Sequence, residues 1–76
     1  MAANYLPTPG SVTTLYIKYY PESKNLEIGF RTRSVYKYFK VPLRVWRNYY
    51  KAALAGLSGE FFNEFIRDKY QFERIT

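Results

Sequence analysis

Residues 34–42 read SVYKYFKVP, and the fold turns on which way their rings point. Val35, Tyr36, Lys37 and Tyr38 are mostly β-branched or aromatic, and Pro42 ends the run, as expected of a strand. A strand has two faces, so Tyr36 and Tyr38 share one and Lys37 takes the other. Directed inward, the two rings are core. Directed outward, they form a surface on which bases stack.

The flanking sequence supplies partners for this strand. Residues 12–20 (VTTLYIKYY) and 26–30 (LEIGF) have the same character, and PESKN between them is turn chemistry. RTRS at residues 31–34 makes a second reversal, giving three antiparallel strands in sequence order. With a three-residue loop at 32–34, Arg31 lies opposite Val35, Phe30 opposite Tyr36 and Ile28 opposite Tyr38. Leu15, Ile17, Tyr19, Leu26, Ile28, Phe30, Tyr36 and Tyr38 then line the covered face. A two-residue loop would send Tyr36 and Tyr38 outward, because a one-residue slip exchanges the faces of a strand.

Beyond Pro42, which suits the first turn of a helix, Leu43, Trp46, Tyr50, Ala53 and Leu54 recur at spacings of three and four. They form an apolar stripe, and Arg44, Arg47 and Lys51 form a separate basic one. Gly56 stops this helix. Ser58 caps a second over residues 59–70, with Phe62, Phe65, Ile66 and Tyr70 on its apolar face. Residues 1–10, with two prolines and little to bury, are expected to be a flexible N-terminal arm, and residues 11–76 one domain. The expected fold is α+β: a three-stranded antiparallel meander followed by two helices packed on one face.

Composition narrows the function. A chain of 76 residues is at most one domain, and 47% hydrophobic content argues against disorder. Nine Tyr and six Phe make the core depend on large rings. With no His and no Cys, the usual general base, thiol nucleophile and soft metal ligands are missing, and no enzyme or cofactor is expected. Glu60, Glu64 and Asp68, four apart, read as a solvated acidic face and not as a cation site. The opening MAANYLPTPGS lacks the basic start and apolar run of a secretion signal, no apolar run is long enough for a membrane span, and a cytoplasmic setting, which the lack of Cys fits, is expected.

The formal charge of +6 is unevenly spread. Residues 28–59 hold Arg31, Arg33, Lys37, Lys40, Arg44, Arg47 and Lys51 with no carboxylate, while the segments on either side are close to neutral. A regional excess of this kind points to an anionic partner.

The chain also resembles a known family. IKYY (17–20), LEIGF (26–30), YKY (36–38), VP (41–42), Trp46, Ala55, Gly59, FFN (61–63), Ile66 and Tyr70 follow, in order and spacing, the pattern of the KTSC domain. That family occurs at the C-terminus of some lysyl-tRNA synthetases and as small free-standing bacterial proteins. This chain departs from the pattern at Arg33, where the family has a glycine, at Tyr20, where it has an acidic residue, and at Leu57, where it has a serine. The resemblance implies no particular reaction, and RNA binding is the role it suggests.

The expected function is therefore non-enzymatic binding of RNA or single-stranded nucleic acid. Tyr16, Tyr20 and Phe39 would stack bases on the uncovered sheet face, and Lys18, Arg31, Arg33, Lys37, Lys40, Arg44, Arg47 and Lys51 would neutralise phosphates. The alternative is a protein-interaction module or accessory factor with an acidic protein partner. Solvated cover is the plainer explanation of both the sheet face and the helical stripe.

Overall fold

The computed structural model describes residues 4–76. Its strands are β1 (Asn4–Pro7), β2 (Thr14–Tyr20), β3 (Asn25–Phe30), β4 (Val35–Tyr38) and β5 (Phe72–Arg74). Two helices lie between β4 and β5: α1 (Leu43–Leu54) and α2 (Ser58–Phe61), the latter running into a π-helical turn (Phe62–Ile66). The strands form one sheet in the order β1-β2-β3-β4-β5, every neighbouring pair antiparallel.

The α+β class is as expected, but the sheet has five strands and not three. At one edge, part of the expected free arm is β1, where Leu6 pairs with Ile17 and packs against the core. Met1, Ala2 and Ala3, also assigned to that arm, lie outside the described residues. At the other edge, the second helix ends at Ile66 and does not continue to residue 70. Arg67 is already extended (φ −60, ψ 128) and Asp68 is left-handed (φ 62), which returns the chain to the sheet as β5. Both added strands are only three or four residues long, too short for period-two alternation to show in the sequence.

Tyr36 and Tyr38 point inward, although the register differs from the expected one. Ile28 pairs with Tyr36 and Leu26 with Tyr38, two residues away from the three-residue-loop alignment. The longer connection is closed by the Phe30 amide donating to the Ser34 carbonyl (2.9 Å) and the Arg33 amide to the Phe30 carbonyl (2.9 Å). A shift of two preserves the face of every side chain, so the orientation survives the error. Tyr38 is 5% exposed, and half-buried Tyr36 packs against the same core.

Leu15 does not face the core as expected. A β-bulge between Thr14 and Tyr16 inserts it as an unpaired residue and turns it outward, burying Thr14 in its place. Thr14 Oγ1 lies 2.7 Å from Thr8 Oγ1, so the buried hydroxyls satisfy one another.

Helix α1 packs with Tyr19 stacked on Trp46 (5.4 Å between centroids, 7° between planes), and the Tyr19 hydroxyl donates to the Val41 carbonyl at 2.6 Å. Its buried residues are Trp46 and Tyr49; Leu43 and Leu54 are exposed, so the apolar stripe is rotated toward Tyr49. Gly56 (φ 80) ends α1 as expected, with the Leu57 amide on the Ala52 carbonyl (2.8 Å) and the Gly56 amide on the Ala53 carbonyl (3.1 Å), a Schellman motif. Ser58 is buried and makes no capping hydrogen bond; Leu57 holds the N-cap position. Phe62 and Ile66 are buried, whereas Phe65 is exposed. Among the described residues, no helix is long and apolar enough to cross a membrane.

Candidate nucleic-acid interface

The uncovered sheet face carries more negative charge than the sequence order suggests. Pairing sets Lys18 against Glu27, Glu27 against Lys37, and Lys37 against Glu73, a row that alternates in sign across four strands. Strand order thus restores carboxylates to a region that lacks them in sequence.

The rings of this face are also engaged. The Tyr16 hydroxyl donates to Glu27 Oε2 at 2.6 Å, and the Tyr20 hydroxyl to Glu27 Oε1 at 3.2 Å. Tyr5 of β1 stacks on Tyr16 with centroids 5.6 Å apart, and on its other side the Tyr16 ring occupies the space where a Cβ at Gly29 would sit. Burial, with the Glu27 carboxylate second, pushes the Tyr16 hydroxyl far above the usual tyrosine range. Lys18 Nζ lies 5.3 Å from the Tyr20 ring centroid, and the Tyr20 hydroxyl beside it raises the lysine, which stays charged.

The other predicted sheet-side residues lie just beyond the ends of β3 and β4. Arg31 turns back on the N-terminal segment, its Nε donating to the Ser11 carbonyl and its NH2 to the Pro9 carbonyl, each at 2.6 Å. Arg33 is exposed in the β3–β4 turn at φ 69. Phe39 is half-buried, its amide donating to the Gln71 carbonyl (2.9 Å), and exposed Lys40 follows at φ 58.

The helical stripe forms a single surface. Arg44, Arg47 and Lys51 are all exposed on α1, three and four residues apart, and therefore on one side of the helix. Beside them a groove of about 560 Å³ runs between α1 and β1, lined by Asn4, Tyr5, Pro21, Leu43, Trp46, Arg47, Tyr50 and Lys51. No carboxylate is among these residues. Trp46 and Tyr50 meet edge to face at 5.7 Å, and Tyr50 is half-buried, so an aromatic floor adjoins two cations. Sequence reasoning found the cations but assigned Tyr50 wholly to the core and Tyr5 to a free arm. Their place in the groove depends on the pairing of β1, which no local pattern reveals.

Comparison with known proteins gives a consistent result. The model of the KTSC domain matches residues 11–70. A lysine–tRNA ligase of Nostoc sp. is 32% identical over 71 residues, and one of Nostoc punctiforme is 37% identical over 71 residues. In both cases the alignment covers 93% of this chain but only 12% of the ligase, so the chain spans about an eighth of these relatives' length. The crystal structure of a KTSC domain protein from Yersinia pestis superposes with a TM-score of 0.86 at 33% identity, covering 99% of this chain and 100% of the other.

Proposed function

This chain belongs to the KTSC domain family, and from that premise we propose that it is a small non-enzymatic domain that binds single-stranded RNA through α1 and the groove beside it. The observation that carries this reading is the stripe of exposed cations Arg44, Arg47 and Lys51 on α1, two of which, Arg47 and Lys51, line a groove with aromatic residues and no carboxylate in its lining. Phosphates engage the cations, and a base lies against Tyr50 in the groove. The sheet face is the poorer candidate because Glu27 stands in its middle and holds two of its tyrosines. Relatives whose names include tRNA support an RNA ligand, and a cytoplasmic setting accords with this reading.

Nuclear magnetic resonance titration with a short single-stranded RNA tests the assignment. Shifts should concentrate on α1 and Tyr50 and spare Lys18 and Lys37. Reversing charge at Arg44, Arg47 and Lys51 together (R44E, R47E, K51E) should abolish binding, while K18E with K37E should leave it within about twofold. If three phosphate contacts form, log affinity falls with log salt at a slope of about −2. Undiminished RNA binding by the α1 triple variant would overturn the proposal.

The second reading is an acidic protein partner on the same stripe. It draws support from the ligases, in which the matching region is a small part of a larger protein. Retention of a nuclease-insensitive partner, without RNA affinity, would favour it.

A further inference from the structure

A second concave site lies at the opposite edge of the sheet, away from α1. It has a volume of about 290 Å³ and is lined by Phe30, Tyr36, Tyr38, Phe62 and Phe72, with Arg67, Asp68, Thr32 and Ser34 supplying the polar groups. Its size falls near the lower end of small-molecule sites, roughly 300–1,000 Å³, which suits a ligand of a dozen or so heavy atoms. The rings form a continuous wall: Phe30 meets Tyr36 at 5.5 Å and Phe62 at 5.3 Å, and Phe72 meets Tyr36 at 5.4 Å and Tyr38 at 5.5 Å. Phe72, in the edge strand, remains 54% exposed, so the wall has an open side.

The charges at the rim select the ligand. An organic cation would suit the rings and Asp68 but would face Arg67, and an organic anion would suit Arg67 but would face Asp68. A molecule carrying both charges on adjacent atoms, with an apolar body, has a partner for each. We propose that this site binds a free α-amino acid with an apolar side chain, its ammonium toward Asp68, its carboxylate toward Arg67 and its side chain against the rings. The Tyr38 hydroxyl senses both rim charges: burial first, then Tyr36 and Asp68, push it up to about 12, and Arg67 opposes them. It is therefore a neutral donor at ordinary pH.

The left-handed backbone at Asp68 (φ 62) makes the test clean, because asparagine tolerates that conformation and D68N keeps the fold. L-phenylalanine titrated into the whole chain should shift the resonances of Phe30, Tyr36, Tyr38 and Phe72 saturably at millimolar concentration. Phenethylamine, which lacks the carboxylate, and 3-phenylpropanoate, which lacks the ammonium, should each bind about tenfold more weakly, and D68N should weaken L-phenylalanine by a similar factor. No saturable shift, an analogue that binds as tightly as L-phenylalanine, or full affinity in D68N would each overturn the proposal. Adenosine binding here as well as L-phenylalanine would also overturn it, making the site a nonspecific aromatic crevice.

Discussion

Arg33 occupies a backbone position that suits glycine. Its φ of 69 lies in the left-handed region, where a side chain costs about 1–2 kcal/mol, and the family pattern has glycine at this turn. Arg33→Gly should stabilise the fold by about 0.5–1 kcal/mol, the gain being reduced by glycine's greater freedom in the unfolded chain. Thermal melting checks this, since about 1 kcal/mol moves the midpoint by roughly 4–8 °C in a domain of this size. Tyr49 presents a different cost. It is fully buried in α1, its ring stacks on Phe61 at 5.0 Å, and its hydroxyl has no hydrogen-bond partner among the described residues. Tyr49→Phe keeps the ring and removes the stranded group, so stability should rise by about 1 kcal/mol, measured by urea unfolding. A loss of stability would mean that the hydroxyl has a partner, such as an ordered water.

Among the elements, those with several residues of consistent pattern were legible in the sequence, and those that depend on distant pairing were not. β2, β3 and β4 carry alternating large residues, and Pro42 and Gly56 bracket α1, so their existence and order follow from local chemistry. The face of β4 was also readable, because its expected register was wrong by an even number of residues. Leu15 was misplaced because a bulge breaks the period, and β1 and β5 escaped because each gains its hydrogen bonds only from a partner already in the sheet. The site follows the same division. Arg44, Arg47 and Lys51 were visible as a stripe, and the alternation that turns Leu26 and Ile28 inward also leaves Glu27 on the open face, but its pairing with Lys37 and its hold on Tyr16 and Tyr20 depend on cross-strand register. The end of α1 gives an element-level prediction: Gly56→Ala places a Cβ on a residue at φ 80 and should cost about 1 kcal/mol by forcing the Schellman turn to strain or unwind. Denaturant unfolding should show this loss with an unchanged m-value, since the surface exposed on unfolding hardly alters.

For the whole molecule, the decisive feature is that a small core includes Tyr19, Tyr38 and Tyr49, each with an ionisable hydroxyl. Burial raises Tyr38 to about 12 from a reference of 10.0, and burial is also the first cause of the upward shifts at Tyr16, Tyr19 and Tyr49. The raised group is an acid, so the unfolded chain releases its proton first. Stability from these hydroxyls is therefore present in full below pH 10 and is lost as the pH climbs toward about 12, because above pH 10 the unfolded state binds fewer protons than the native state. Lysine deprotonation in the same range acts the same way, because the chain passes its pI of about 9.7 and gathers net negative charge. The two effects are separable by substitution. The urea midpoint of the parent chain should hold level up to pH 10 and then fall, and Tyr38→Phe should make that fall shallower without altering the lysines. Tyrosinate absorbance should rise in step with unfolding at these buried positions. An equally steep decline in Tyr38→Phe would show that Tyr38 does not drive the alkaline transition.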